Sequence, residues 1–224
     1  MALIKVVIIG AGGFGREVLD VFDAINSVRP TFDIIGFIVD DLYGKPGDVI
    51  NNRSVLGGFD WLDRHKEDVF AVCGVGAPEL RLKLIKNAES VGAQFCSVVH
   101  PNAILTDWIS IGEGTVITAG CILTNQVKIG NHVHLNLDCT IGHDVVIEDF
   151  VTVSPGCHIS GRVLIKRGAL IGTGTNIIEN LKIGTWSVVG AGSTVIKDIR
   201  KNSVAVGNPA KEIKIKPDRW HLDV

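Results

Sequence analysis

The chain has 224 residues, of which 46% are hydrophobic and 21% charged, a balance typical of a globular protein with a sizeable core. Its formal net charge of −2 and its sequence pI near 6.4 give no electrostatic basis for binding nucleic acid. No apolar run reaches the roughly 18 residues of a membrane span, and the first residues lead straight into a strand instead of a secretory leader. We therefore expect neither membrane insertion nor export.

The cysteines indicate a reducing compartment. There are five, without a CxxC pair or a cluster of Cys and His at metal-ligand spacing. A disulfide framework or a zinc site requires such spacing, so we predict free thiols, no metal and a cytoplasmic location.

The chain begins with a strand–turn–helix pattern that carries a glycine motif. Residues 5–9 form a β-branched run suited to a strand buried on both faces, and a helix is predicted from Arg16. Between them Gly10, Gly12 and Gly15 form a GxGxxG, whose glycines let backbone N–H groups approach a phosphate at the helix N-terminus. The alternative interpretation is a tight turn that packs helix on sheet without a ligand.

The next segments predict about half of a doubly wound fold. A second strand at 34–39 ends in Asp40 and Asp41, where an acid can accept from a ribose hydroxyl or a base N–H. Further elements are predicted as a helix from Phe59, a strand at 69–76, a helix from Leu80 that includes Arg81, and a short strand at 94–98, with a surface loop at 43–53. Such a unit has more room for a mononucleotide than for NAD.

Residues 99–200 repeat every six residues. From Val99 to Val195 every sixth residue is Leu, Ile or Val, without a break. This period excludes amphipathic helices and coiled coils, and a β-sandwich would need irregular strand spacing. Hexapeptide self-similarity is typical of a β-helix in which three hexads make one coil of 18 residues.

That period sorts the polar residues into columns spaced by 18. Cys121, Cys139 and Cys157 form one column, interpreted as small apolar side chains filling the interior in preference to a ligand ladder. Three histidines, His132, His134 and His158, fall at outward or corner positions, where a solvated or structural role is expected.

His143 has a different context. Asp144 follows it and can orient the ring, while the residues one coil away in its column are Asn125 and Gly161. An imidazole beside the bare backbone of a glycine combines a general base with an oxyanion donor. The alternative is an ordinary surface histidine.

Four segments of the chain resemble, in order and spacing, the left-handed β-helix sugar acetyltransferases of the nucleotide-amino-sugar N-acetyltransferase and sialic acid O-acetyltransferase type. The segments are residues 10–16, 40–41, 136–144 and 206–211. The resemblance implies an α/β Rossmann-like half domain (1–98), an all-β left-handed parallel β-helix (99–200) and a tail (201–224) near the coenzyme A channel. It also implies a homotrimer with active sites between adjacent helices.

The resemblance assigns roles to individual residues. His143 becomes the base, Asp144 its partner, and Gly161 the backbone donor to the thioester. Thr173, Ala191, Gly207, Pro209 and Lys211 are assigned to acetyl-CoA. The substrate residues are Gly10, Gly12, Gly13, Phe14, Gly15, Arg16, Asp40, Asp41, Arg81 and Asn136.

The chain departs from the family pattern at three positions. Phe14 stands where relatives usually carry His, Thr152 where some carry a second active-site His, and Gly142 where an acid precedes the base. The implied activity is acetyl-CoA-dependent N-acetylation of a UDP- or GDP-linked amino sugar for surface glycan synthesis. Alternatives are O-acetylation of sialic acid or another sugar hydroxyl, a non-catalytic nucleotide-binding structural trimer and, less favoured, an NAD-dependent enzyme.

Overall fold

A computed structural model of the chain describes residues 2–40 and 42–222. The first part is an α/β unit, and the second is a stack of short parallel strands. The elements of the α/β unit, in chain order, are β1 (Ile4–Ile9), α1 (Gly13–Val28), β2 (Phe32–Ile38), β3 (Val49–Ile50), β4 (Arg53–Gly57), α2 (Phe59–His65), β5 (Phe70–Cys73), α3 (Pro78–Ser90) and β6 (Gln94–Phe95).

The strands of the α/β unit form one sheet in the order β3-β4-β2-β1-β5-β6. All pairs are parallel except β3 with β4. The second half of β1 is buried on both faces, as its β-branched run predicts. The carboxyl ends of β1, β2 and β5 therefore lie side by side, where open α/β sheets bind ligands.

The loop expected at 43–53 is partly wrong. It contains β3, which turns back through Asn51 and Asn52 to pair with β4. Both asparagines have positive φ, as a tight hairpin requires. The strands are too short for alternation of apolar and polar residues to reveal them.

The rest of the chain forms a parallel β-helix of three faces. Face 1 contains Val98–Val99, Val116–Ile117, His134–Leu135, Thr152–Val153, Leu170–Ile171, Val188–Val189, Ser203–Val206 and, antiparallel at its end, Lys211–Ile215. Face 2 contains Ile122–Leu123, Thr140–Ile141, His158–Ile159, Asn176–Ile177 and Thr194–Val195. Face 3 contains Ser110–Ile111, Lys128–Ile129, Val146–Ile147, Leu164–Ile165 and Lys182–Ile183.

The coil length of 18 residues is confirmed by the strand register. Ile122 pairs with Thr140, which in turn pairs with His158 on the next coil. The repeated Leu, Ile and Val residues from Ile117 to Val195 are buried along the axis. Cys121, Cys139 and Cys157 are buried among them, as predicted. The predicted architecture, an α/β unit followed by a parallel β-helix, is confirmed.

The three edges of the β-helix differ in the residue type at the positive-φ position of their turns. The chain passes from face 1 to face 2, then to face 3 and back to face 1, so its turns form a 1/2 edge, a 2/3 edge and a 3/1 edge. Most of these turns hold one residue at positive φ. On the 1/2 edge these residues are Gly120, Asp138, Gly156, Gly174 and Gly192; on the 2/3 edge they are Gln126, Asp144, Arg162 and Asn180; on the 3/1 edge they are Gly114, His132, Phe150, Gly168 and Trp186. Bulky side chains at positive φ are strained, and two of them, Phe150 and Trp186, are held by packing against the α/β unit.

The α/β unit covers face 1 and the 3/1 edge. Phe150 and Trp186 join the core formed by α2, α3 and β5, and Val116 joins the core around α1. His132 and His134 are buried on this side, so of the two expected roles the structural one applies to them, while His158 on face 2 is exposed. The hexad pattern could not show that one face is covered.

The C-terminal segment returns to the same junction. A short 3₁₀ helix, Trp220–Leu222, lies beside α3, and the His221 ring stacks on Trp186 with centroids 3.9 Å apart. None of the helices in the described part of the chain is both long and apolar enough to cross a bilayer.

Burial of His132 predicts acid sensitivity. Burial, followed by the nearby positive charge of Arg81, lowers the pKa of His132 from 6.5 to about 4. Below about pH 6.5 the unfolded chain binds a proton at this histidine that the folded chain does not, so stability falls as the pH decreases towards 4. Because Asn tolerates positive φ, we expect His132→Asn to fold. Between about pH 6.5 and pH 4 its free energy of unfolding should fall by about 3 kcal/mol less than that of the wild type. Urea unfolding at pH 7 and pH 4 measures the difference; parallel pH profiles would contradict the prediction.

Candidate active site

His143 and Asp144 form an ion-pair geometry on the 2/3 edge. The His143 Nδ1 lies 2.8 Å from Asp144 Oδ2, and both side chains are about half exposed, at 54% and 52%. A carboxylate only accepts hydrogen bonds, so Nδ1 is the donor in this contact, and in the neutral imidazole Nε2 is the nitrogen that holds the lone pair. The turn that aligns them depends on Asp144, which has φ of 60° and donates its N–H to the Asn125 carbonyl.

The free Nε2 atom lies over Gly161, one coil further on. A Cβ built on Gly161 would be 2.5 Å from Nε2, so only glycine leaves the space that the imidazole occupies. The Gly161 N–H has no hydrogen-bond acceptor within the described residues. The structure thus brings an imidazole nitrogen and an unpaired backbone donor together, at the 18-residue spacing on which the prediction of a base and an oxyanion donor rests.

The predicted acetyl-CoA residues form a line along the 1/2 edge. Thr173 and Ala191 are exposed on consecutive coils, linked by a hydrogen bond from Gly192 N to the Thr173 carbonyl. Within residues 2–40 and 42–222 the N–H groups of Thr173 and Ala191 are also unpaired. On the 3/1 edge, side chains accept from three of the equivalent N–H groups, namely those of Glu113, Asn131 and Arg167. The free donors of Thr173 and Ala191 lie on the edge that is predicted to bind acetyl-CoA.

The tail continues this edge. Gly207 donates to Ser193 Oγ, and Ala210 N donates to the Thr194 carbonyl, so the exposed loop with Pro209 extends the line of Thr173 and Ala191. Lys211 begins the final strand and is exposed. These residues are close to one another, whereas Gly161 lies on a different edge.

The glycine motif forms the turn that the pattern predicts. Gly10 has φ of 93° and faces Val75, and a Cβ on Gly15 would overlap the Gly10 carbonyl oxygen. Gly12 and Gly13 face open space, and Gly12 caps α1 without a side chain. The first N–H groups of a helix have no intrahelical acceptor, so this exposed helix start can bind an anion.

Three other predicted substrate residues surround this turn. Arg16 and Asp40 are exposed, and Asp40 Oδ1 accepts from the Leu42 N–H at 3.1 Å. Asp41 lies outside the described residues. Phe14 does not project freely, because its ring lies 4.7 Å from that of His134 in the β-helix.

Arg81 differs from its predicted role. Its side chain has no exposed surface, so it cannot contact a nucleotide sugar in this arrangement. Instead its guanidinium donates to backbone carbonyls of both structural parts, including Val75 at 2.9 Å and Phe150 at 2.8 Å. Sequence alone placed Arg81 on a helix but could not show that this helix face meets face 1.

Asn136 is also buried, at 7% exposure, and its Nδ2 donates to the Val153 carbonyl at 2.9 Å. It lies at the end of a face 1 strand and not beside His143. We therefore assign Asn136 to the structure of the coil.

The sequence did not reveal several residues near these sites. The loop Gly74–Gly76, Thr152 and His134 connect the glycine turn at residues 10–16, the predicted phosphate turn, to the β-helix. Glycines at positive φ also recur along the 1/2 edge, a signal that a count at 18-residue intervals can detect. In the described part of the chain no group of His, Cys, Asp or Glu is arranged to hold a metal.

The glycine turn provides a prediction with an internal control. We expect Gly15→Ala to destabilise the protein by about 2 kcal/mol or more, because its methyl group meets the Gly10 carbonyl. Gly13→Ala, two residues earlier and facing open space, should leave the melting temperature unchanged or slightly raised. Equal melting temperatures for the two variants would contradict the close packing of Gly15 against Gly10.

Comparisons with known proteins agree with this arrangement. The family model described as PglD N-terminal domain matches residues 5–88. UDP-N-acetylbacillosamine N-acetyltransferase of Bacillus subtilis is 34% identical over 125 residues, which span 51% of this chain and 51% of that protein. The match thus spans about half the length of that curated relative.

Two solved structures match nearly the whole chain. Perosamine N-acetyltransferase from Caulobacter crescentus, a histidine-to-asparagine variant in complex with CoA and GDP-perosamine, is 26% identical with a TM-score of 0.85, covering 97% of this chain and 99% of that one. WeeI from Acinetobacter baumannii is 32% identical with a TM-score of 0.83, covering 95% and 100%. The chain therefore belongs to the family of left-handed β-helix sugar acetyltransferases, of the nucleotide-amino-sugar N-acetyltransferase type, that carry a PglD-type N-terminal domain.

Proposed function

We propose that the protein transfers the acetyl group of acetyl-CoA to the amine of a UDP- or GDP-linked amino sugar used for surface glycan synthesis. The observation that carries this proposal is the His143 Nε2 atom above Gly161, with Asp144 on the opposite ring nitrogen. Two of the named relatives support the substrate class, since one is a UDP-N-acetylbacillosamine N-acetyltransferase and the other a perosamine N-acetyltransferase in complex with GDP-perosamine.

The residues account for each step of the transfer. The neutral amine attacks the thioester carbonyl, forming the C–N bond, while His143 Nε2 takes a proton from the nitrogen. Asp144 stabilises the imidazolium, and the Gly161 N–H donates to the oxyanion. When the C–S bond breaks, the CoA thiolate leaves with the electron pair and receives the proton from His143.

The 1/2 edge supports the binding of acetyl-CoA. Its positive-φ positions are mainly glycines, which leave the backbone bare, and the unpaired N–H groups of Thr173 and Ala191 can donate to the amide carbonyls of a pantetheine arm. Lys211, near the end of this edge, supplies a positive charge for the phosphates of the coenzyme.

The N-terminus of α1 supports the binding of the nucleotide. Free N–H groups and the helix dipole at Gly12 and Gly13 favour a diphosphate. Asp40 lies at the carboxyl end of the neighbouring strand, where its carboxylate can accept from the nucleoside. Asp41 is proposed to act beside it.

The location of these groups favours a homotrimer. The α/β unit lies on face 1, and the 1/2 edge borders the same face, whereas His143 lies on the 2/3 edge, opposite face 1. In one copy of the chain, the proposed nucleotide and coenzyme sites therefore lie on one side of the β-helix, and the proposed base, His143, lies on another. A second helix packed alongside, as in the trimers that the family resemblance implies, brings a complete set together and covers the half-exposed His143.

A cytoplasmic location is part of the proposal. It rests on the five cysteines, which are all free thiols, as a reducing compartment maintains them.

The decisive variant is His143→Asn. We expect kcat to fall by about 10²–10⁴-fold, because the general base is lost, while the affinity for CoA stays within about twofold of wild type. Free-thiol release measures turnover with a panel of UDP- and GDP-linked 4-amino sugars and free sialic acid. Isothermal titration measures CoA binding.

Each outcome separates the possible functions. Wild-type turnover in His143→Asn would contradict the assignment of the base. Turnover with sialic acid but with none of the amino sugars would identify an O-acetyltransferase. Nucleotide binding without any acetyl-CoA binding by the wild-type protein would identify a structural trimer.

The Gly161 position gives an independent test. Because a methyl group there would be 2.5 Å from Nε2, we expect Gly161→Ala to displace the imidazole and lower kcat by about 10²-fold or more. Ser160→Ala, at the preceding exposed position, is the matched control and should retain turnover. Unchanged kcat in Gly161→Ala would show that the observed imidazole position is not the reacting one.

A further inference from the structure

The loop Gly74–Gly76, which follows β5, packs closely against the phosphate turn, residues 10–16. A Cβ on Gly74 would lie 2.5 Å from the Gly15 Cα, and Val75 closes over Gly10. These contacts are too close for the loop and the turn to move independently. The position of the loop therefore sets the position of the phosphate turn.

Arg81 holds this loop. Its Nη1 donates to the carbonyls of Val75 and Gly76 at 2.9 and 3.0 Å. The Thr152 hydroxyl, on face 1 of the β-helix, donates to the same Gly76 carbonyl at 2.7 Å. The loop is thus bonded to both structural parts at once.

The other nitrogens of Arg81 reach the β-helix. Nε donates to the His132 carbonyl at 3.0 Å. Nη2 donates to the Phe150 and Val151 carbonyls at 2.8 and 3.1 Å and to Thr152 Oγ1 at 2.9 Å. One planar side chain therefore fixes the loop against two consecutive coils.

A second connection runs through His134. Its Nδ1 accepts from Arg81 Nη1 at 3.0 Å, so the imidazole is neutral, and its ring supports Phe14 within the glycine motif. Arg81 consequently acts on the phosphate turn from two sides, through the loop Gly74–Gly76 and through the His134–Phe14 pair.

Burying the charged guanidinium of Arg81 costs desolvation free energy, so the presence of a charge at this position needs a physical explanation. Arg81 has no exposed surface, and no carboxylate is paired with it in the described residues. Apolar residues of similar volume often stabilise a core better than buried charges, whereas a fixed set of hydrogen bonds specifies one relative arrangement.

We propose that Arg81 is a positioning residue, which fixes the phosphate turn of the α/β unit at one place on the β-helix so that a bound nucleotide sugar is presented in a defined orientation. This inference rests on the proposed nucleotide-binding function. It replaces direct substrate contact by Arg81, which burial excludes.

The test is Arg81→Lys in the full chain, with UDP and GDP as probes. Lysine keeps the charge but cannot make the forked contacts. We expect the Kd of the bound nucleotide to rise about tenfold or more, with the Kd of CoA within twofold of wild type. Hydrogen exchange should accelerate at residues 10–16 and 74–76. Ile85→Ala, a buried change one turn along α3, is the control for general destabilisation and should retain nucleotide affinity below its melting temperature.

Thr152→Val is the second variant, because it keeps the side-chain volume and removes only the bonds to Gly76 and Arg81. It should weaken nucleotide binding in the same selective way, even if Arg81→Lys fails to fold. Wild-type protein that binds neither UDP nor GDP would contradict the proposed function and this inference together. Wild-type binding that both variants leave unchanged, or an equal loss in Ile85→Ala, would overturn only the role of Arg81.

Discussion

The backbone ladder between coils is the constraint on which the structure depends. From Val98 to Val195 the strand residues of the β-helix pair with residues 18 positions away, so register cannot slip without moving every apolar residue out of the interior. This ladder places Asn125, His143 and Gly161 in one column at coil spacings of about 4.8 Å. The proximity of the imidazole to Gly161 is therefore a property of the repeat and needs no special loop.

Within that frame, the three edges differ only in what occupies the turns. Glycines leave the 1/2 edge bare, a polar set including Asp144 occupies the 2/3 edge, and Phe150 and Trp186 fill the 3/1 edge. The residue types at each edge match the surroundings of that edge. Aromatic residues at positive φ are strained, and burial against the α/β unit offsets that strain. A single repeating backbone thereby provides a docking edge, a base and a row of free N–H groups.

The junction of the two parts combines apolar packing with one buried polar network. Packing of Phe150 and Trp186 buries apolar surface area but tolerates small shifts of the α/β unit against the β-helix, because hydrophobic contact is not directional. The bonds of Arg81 to Val75, Gly76 and Thr152 are directional and are satisfied in only one arrangement. The neutral His134 beside the guanidinium belongs to the same arrangement. Orientation at this junction thus depends on hydrogen bonds more than on buried area.

The six-residue period predicts the β-helix and the proximity of His143 to Gly161, and the GxGxxG motif predicts the glycine turn. The sequence also indicated the line of Thr173, Ala191 and Pro209 through family resemblance. It could not determine that Arg81 and Asn136 are buried or that His134 lies beneath Phe14, because these depend on which face the α/β unit covers. Contacts between residues 50 to 70 positions apart leave no periodic trace in the chain. These contacts depend on the fold as a whole, because burial is set by how the surfaces of the α/β unit and the β-helix pack against each other.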